Sequence, residues 1–298
     1  RIVYGDQSSV PLGDRGIPPE YRKAVWMKLS AADRLSEVYG PSYASSMLHP
    51  PGGEEEDPLL VKAEMDIDKD IARTFTDKMM EGFAGGDSRP ERFQERLKMV
   101  LLAYARHNRR LGYCQSMNNL AGLLLLAVGD EEEVFWLLVA LVERVLPDCY
   151  YSDELTGVTT DVEVLDSLLE HHLRTVYDKL KETEVPATAY AARWFMCAYV
   201  NVLSGRSVMR VWDCLFFDGP VVLFRIALAL LKAVEGELGQ VTEMDECFES
   251  LNSAKGLEIE TLLQISDKCF GAGVVDAAHV DKLRGRVQAA KELARAVA

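Results

Sequence analysis

An all-α, multi-helix fold is what this sequence predicts, and three observations carry the prediction. Apolar residues recur at three- and four-residue intervals through most of the chain. Helix-start signals precede several of those stretches. No run shows the two-residue alternation of a strand. The 298 residues allow one large or two medium domains with real cores, and a chain that is 48% hydrophobic and 27% charged is an ordinary globular one.

The elements follow in order. Gly16-Ile17-Pro18-Pro19 places proline where a first turn tolerates it, and Tyr21, Val25 and Leu29 then repeat at four as an apolar helix face. The stretch from Tyr39 to Pro58 carries Pro41, Pro50, Pro51, Gly52, Gly53 and the acidic run Glu54-Glu55-Glu56-Asp57, and reads as a solvated, mobile loop. Ser88-Arg89-Pro90-Glu91 reads as a capping box opening a helix faced by Phe93, Leu97, Val100, Leu101 and Tyr104. Asp130-Glu131-Glu132-Glu133 separates two apolar runs, Leu120 to Val128 and Val134 to Val142. Asp148 to Thr160 reads as a second irregular stretch. After it Val162, Leu165, Leu169, Leu173, Val176 and Leu180 form a three-four stripe. Near Thr183-Glu184-Val185-Pro186 the helices change from amphipathic to more thoroughly apolar, as in Trp194 to Leu203 and Val221 to Val234. We therefore expect an N-terminal lobe over residues 1–184 and a C-terminal helical lobe over 185–298. Val280, Leu283 and Val287 mark a last amphipathic helix, and no fixed-period repeat is visible.

Composition excludes several classes. A net charge of −14 argues against nucleic-acid binding, which needs clustered Lys and Arg, and disfavours broad adhesion to anionic membranes. The six cysteines are scattered singly with no C-x-x-C pair, as reduced cytosolic thiols are, so a cytoplasmic chain is expected. Neither apolar run is long enough to span a bilayer, and no signal peptide is expected. The opening on Arg1 rather than Met raises the expectation of a processed or truncated chain. The five histidines form no H-E-x-x-H or Cys/His ligand set, so no metal is expected. There is no P-loop, so the chain is not expected to bind nucleotide by that route. Arg106-His107-Asn108-Arg109-Arg110, the clearest basic cluster, reads as a solvated face, or as a patch steering an acidic partner.

Two short segments carry chemistry. In Ile67-Asp68-Lys69-Asp70-Ile71-Ala72-Arg73-Thr74, residues Ile67, Asp70, Arg73 and Thr74 fall on one helix face. Asp70 is placed to brace Arg73 by a charge-assisted contact, with Ile67 packing the turn onto the core. Bracing matters because a long side chain loses rotamer entropy when it engages a partner. The plain alternative is a solvated Asp–Arg pair, worth a few tenths of a kcal/mol. In Tyr113-Cys114-Gln115-Ser116-Met117-Asn118, Gly112 breaks the chain and Ser116 is a candidate N-cap. Gln115 then sits just before a helix N-terminus, where backbone N–H groups favour phosphate, and Leu120, Leu123, Leu124 and Val128 anchor that helix.

These two segments, with Arg15-Gly16-Ile17-Pro18, Arg22 and Trp26 upstream and Arg210, Trp212, Asp213 and Gly219 downstream, resemble the TBC domain, the family of GTPase-activating proteins acting on Rab GTPases. The motifs match I-x-x-D-x-x-R-T and Y-x-Q-G-M-N, and run from Arg15 to Gly219. The resemblance implies a two-lobed helical domain with a groove for a small GTPase. Within it Arg73 and Gln115 would be the catalytic residues supplied in trans, and Asp70, Thr74, Tyr113, Ser116 and Asn118 their supports. It implies a Rab-family partner in its GTP-bound state that brings GTP and Mg²⁺, the chain holding no cofactor of its own. It also implies a role in vesicle trafficking, with peripheral placement on vesicle membranes through the partner or flanking regions. Ser116 stands where the family usually has glycine, and Thr76 where a proline often follows. The first departure asks whether serine adopts a backbone conformation that suits glycine. A helical scaffold that binds a GTPase without accelerating hydrolysis is the alternative reading. Arg22, Trp26, Arg210, Trp212 and Asp213 are expected to be structural: tryptophans with satisfied N–H groups and arginines paired nearby.

Overall fold

A computed structural model describes residues 16–50, 57–72, 74, 90–152 and 154–297, and among these the structure is all-α with no strand. The chain divides into two compact units, residues 12–154 and 155–298. This division falls ahead of the Thr183–Pro186 break, so the helices over 156–182 pack with the later ones. The capping box at Ser88-Arg89 lies outside the described residues, as do Arg73 and Thr76.

In the first unit the helices are α1 (Pro19–Leu29), α2 (Ala32–Tyr39), α3 (Tyr43–Leu48), α4 (Pro58–Ile71), α5 (Pro90–His107), α6 (Met117–Val128) and α7 (Glu131–Ala140). Their starts follow from local chemistry. Pro19 occupies the first turn of α1. The Asp57 carboxylate accepts from Leu59 N at 2.9 Å ahead of Pro58, opening α4. Gly129, at φ +80°, closes α6, and Asp130 accepts from Glu133 N at 3.0 Å to open α7. Helix α5 packs against α3, α4, α6 and α7, which places Leu97, Val100, Leu101 and Tyr104 in the core with Leu120, Leu124, Phe135 and Leu138. Each such side chain contributes roughly 1.5–3 kcal/mol on burial.

Two expectations in this unit are corrected. The face of α1 that goes inward is that of Trp26, which is fully buried. Tyr21 and Leu29 are exposed, because the indole is the largest single apolar group on the helix and sets which face turns inward. The loop from Tyr39 to Pro58 contains helix α3, held by Tyr43, whose ring packs on Trp136 with centroids 5.8 Å apart. The outgoing end of α7 widens into a π-helical turn, Leu141–Val145, closed by Leu146 N donating to Leu141 O at 2.9 Å.

The second unit comprises α8 (Thr156–His172), α9 (Arg174–Glu182), α10 (Thr188–Met196), α11 (Gly205–Asp218), α12 (Val221–Ala233), α13 (Glu235–Leu238), α14 (Met244–Ser253), α15 (Ile259–Phe270) and α16 (Ala277–Val297). Helix α12 is its axis, with Leu223, Phe224, Leu228 and Leu230 buried and with α8, α10, α11, α13 and α15 packed around it. The stripe from Val162 to Leu180 is buried as expected but broken at Leu173 into two helices. The stretch expected to run helically from Trp194 to Leu203 stops at Met196. Ala198, Tyr199 and Asn201 then take positive φ, a compact turn that Trp212 Nε1 fastens by donating to Ala198 O at 2.9 Å. Arg210 donates to Asp213 at 3.2 Å with both side chains buried, and Arg22 donates to Ile17 O at 3.0 Å with its guanidinium 5.7 Å from the Trp26 ring. Cys197, Cys214 and Cys247 are buried thiols, Cys114 is half-buried, and Cys149 and Cys269 are exposed. Among the described residues no helix is long and apolar enough to cross a membrane, and no cluster of His, Cys, Asp and Glu is arranged to hold a metal.

Candidate functional site

Within residues 12–154 the structure brings the C-terminal end of α4 and the loop before α6 into direct contact through polar side chains. Asp70, buried on the last turn of α4, accepts a hydrogen bond from Tyr113 Oη at 2.6 Å. Thr74, also buried, donates its hydroxyl to Asp70 O at 2.5 Å and accepts from Asn118 Nδ2 at 2.6 Å. The other end of the Asn118 carboxamide accepts from Ser116 N at 3.1 Å. Five of the seven residues singled out in the sequence therefore form one continuous hydrogen-bonded chain, Tyr113–Asp70–Thr74–Asn118–Ser116.

The chain is assembled from local rules. Asp70 lies on the last turn of α4, on the face that Ile67 turns inward, and Thr74, three residues past the end of that helix, reaches back to the Asp70 carbonyl. Asn118 is in the first turn of α6, whose Met117, Leu120 and Leu124 are fully buried. Buried polar groups without partners cost about 1–3 kcal/mol each, so the network stabilises these ends only because its members satisfy one another. Charge assistance from the Asp70 carboxylate makes the bond from Tyr113 among the stronger ones.

Gln115 sits between Tyr113 and Ser116, and its side chain is exposed. The backbone around it is fixed: Met117 N donates to Cys114 O at 3.1 Å, and Ser116 has φ +91°. Ser116 thus does adopt the left-handed region that suits glycine, at a cost on the order of 1–2 kcal/mol. It occupies the N-cap position of α6 but makes no side-chain cap there, a correction to its expected role. Its amide, not its hydroxyl, is the group the network uses.

The basic run at the end of α5 is only partly a solvated face. Arg106 donates to Met47 O at 2.9 Å, and Arg109 pairs with Asp57 at 3.1 Å. The His107 side chain is buried, with Nδ1 3.0 Å from Tyr43 Oη. Asn108 donates to Glu143 at 2.8 Å. Glu143 escaped the sequence reading because it follows an apolar run that looked like uninterrupted core helix.

Comparison with known proteins decides the family. The sequence pattern of the Rab-GTPase-TBC domain matches residues 19–238. The chain belongs to the Rab-GTPase-TBC domain family. This TBC domain is 36% identical over 282 residues to growth hormone-regulated TBC protein 1 of Xenopus laevis, covering 93% of the chain and 79% of that protein. It is 38% identical over 275 residues to the protein of the same name from Homo sapiens, covering 91% and 77%. Among solved structures it is similar to the Chlamydomonas flagellar RabGAP TBC domain, with a TM-score of 0.71 and 30% identity over 87% of this chain and 85% of that one. The Ypt/Rab-GAP domain of Gyp1p shares the fold at a TM-score of 0.66 and 18% identity, covering 86% and 88%. The all-α TBC architecture expected from the motifs is therefore the architecture of the chain.

Proposed function

We propose that this TBC domain accelerates GTP hydrolysis on a Rab-family small GTPase in its GTP-bound state, supplying Arg73 and Gln115 in trans. The observation that carries the reading is the hydrogen-bonded chain from Tyr113 to Ser116. It ties together the backbones that flank both residues: Asp70 and Thr74 bracket Arg73, and Tyr113 and Asn118 bracket Gln115. A side chain that completes another protein's active centre needs a rigid base and a free tip, and exposed Gln115 on a fixed loop suits that need.

The roles follow from phosphoryl-transfer chemistry. The Arg73 guanidinium neutralises charge that develops on the transferring phosphoryl group, and the Gln115 amide orients the attacking water. GTP and Mg²⁺ arrive with the partner, and the chain contributes no cofactor. An arginine supplied in trans contributes about 10³ to 10⁵ in rate, or roughly 4–7 kcal/mol of barrier. The Rab identity of the partner is supported by the family and by the RabGAP description of the Chlamydomonas relative. A cytoplasmic domain meeting its Rab on vesicle membranes, in vesicle trafficking, is the setting that partner implies.

Single-turnover GTP hydrolysis across a panel of Rab proteins tests the proposal. On a responsive Rab, Arg73→Ala and Gln115→Ala each remove most of the acceleration. Stimulated hydrolysis left unchanged by both substitutions overturns the mechanism. Binding of GTP-loaded Rab by the wild-type chain with no rate change on any member points instead to a non-catalytic scaffold.

A further inference from the structure

The loop that carries Gln115 is held on its downstream side by Asn118 and Thr74, and on its upstream side by Asp70 through Tyr113. The turn that precedes Tyr113 is held by a different set of residues. The chain leaves α5 through a turn built on Asn108: Leu111 N donates to Asn108 Oδ1 at 3.1 Å, and Gly112 N to Asn108 O at 2.7 Å, with Gly112 at φ +61°. The Asn108 side chain thus governs the direction in which Tyr113, Cys114 and Gln115 depart.

What fixes Asn108 is the carboxylate of Glu143. Glu143 Oε1 accepts from Asn108 Nδ2 at 2.8 Å and from Tyr104 Oη at 3.1 Å, and lies 3.7 Å from His107 Nε2. Two residues of the last turn of α5, Tyr104 and His107, and the asparagine that follows it therefore converge on one oxygen. His107 is held from its other nitrogen by Tyr43 Oη at 3.0 Å, and its ring lies edge-on to Phe135 at 5.7 Å. Glu143 projects from the π-helical turn Leu141–Val145, the kind of irregularity that re-aims a side chain within a helix. Burial pushes the Glu143 carboxyl up, but the bonds from His107, Asn108 and Tyr104 outweigh it and hold the group below the usual glutamate range. The acceptor is therefore a carboxylate at neutral pH, and its hydrogen bonds are charge-assisted.

We propose that Glu143 is a positioning residue for Gln115, acting through Asn108 to clamp the turn from which the Gln115 loop departs. The catalytic part of this role rests on the function proposed above; the clamp itself rests on geometry alone. Glu143 touches neither nucleotide nor partner in this account. A carboxamide at 143 keeps a carbonyl acceptor for Asn108 and Tyr104, whereas alanine leaves both donors without it, so the two substitutions separate a local clamp from general damage.

Two measurements test it together. Amide hydrogen exchange over residues 108–116 reads the clamp without any GTPase. Glu143→Ala raises exchange there at least about tenfold while the α12 amides of the second unit keep wild-type protection, and Glu143→Gln stays within about threefold of wild type. Single-turnover hydrolysis on a responsive Rab reads the catalytic role. Glu143→Ala lowers the maximal stimulated rate about tenfold with half-saturation unchanged, Glu143→Gln restores most of it, and in a Gln115→Ala background Glu143→Ala costs nothing further. Unchanged exchange over 108–116 in Glu143→Ala overturns the proposal whatever the kinetics. Raised exchange with an unchanged rate, or a full additional loss on top of Gln115→Ala, overturns the positioning role. A wild-type chain that accelerates no Rab, while exchange responds as described, removes the functional reading and leaves the clamp standing.

Discussion

Two buried polar clusters, one in each unit, end in opposite ways. In α11, Arg210 and Asp213 are both buried and meet each other at 3.2 Å, and neighbouring Trp212 spends its N–H on Ala198 O. Those groups are consumed by the interior. At the end of α4, Asp70, Thr74 and Asn118 are equally buried, yet the residues they flank include Arg73 and an exposed Gln115. Similar chemistry therefore serves two purposes. A charge pair closed within the core holds helices, whereas a polar chain that runs beneath the surface holds a loop from which Gln115 stays exposed.

The largest expected effect sharpens that contrast. Arg73→Ala should cut stimulated hydrolysis by about 10³ or more while shifting the thermal midpoint by no more than about 1 °C. Asp213→Ala should do the reverse. It leaves the Arg210 charge buried without this partner and should lower unfolding stability by about 3–5 kcal/mol in urea titrations. An Asp213→Ala protein as stable as wild type would erase the distinction.

Asn118→Ala is expected to fall between the two classes, because its carboxamide joins Thr74 to Ser116. A stability loss of about 1–3 kcal/mol from stranded buried groups should accompany a fall in stimulated rate. Rate without stability, or stability without rate, would mean that the network does only one job. A smaller change is expected from Ser116→Gly, which relieves the positive φ but adds chain entropy to the unfolded state. A gain of up to about 1 kcal/mol should appear as a raised denaturation midpoint.

The smallest effect is a pH dependence at Glu143. Its carboxyl is held below the ordinary range in the folded chain, so the unfolded chain binds that proton more readily. Its contribution is complete above the unfolded value, near about 4.3, and is lost as pH falls through the lower folded value. Urea unfolding of wild type and Glu143→Gln between about pH 6 and pH 3 should show their difference narrowing in acid. A constant difference would show that the charge contributes nothing.

How much of this was legible beforehand depends on how local each feature is. That Ile67 and Asp70 share the inner face of α4 follows from their three-residue spacing alone. That Tyr113 would reach Asp70, or Asn118 reach Thr74, does not, since each bond joins residues more than forty apart in the chain. The motif singled out Asp70, Thr74, Tyr113, Ser116 and Asn118 without saying which touched which. Tyr21, Val25 and Leu29 misled because periodicity counts positions, while packing favours area, and Trp26 carries more of it. The end of α10 at Met196 was hidden because apolar residues continue through Leu203, and only tertiary bonds such as that from Trp212 select the turn. The asparagine at the foot of the Gln115 loop was passed over inside a run of basic residues. Its partner, Glu143, lies 35 positions away.

The widened turn at Leu141–Val145 has one more consequence. An α-helix advances about 100° with each residue, so a single extra residue in one turn swings everything after it by more than a quarter of a circle. Evolution can therefore re-aim an acid by changing a count instead of a letter. In such a segment, insertions and deletions are the variations to watch, because removing one residue would turn the acid away from its asparagine while leaving both of those side chains in the sequence.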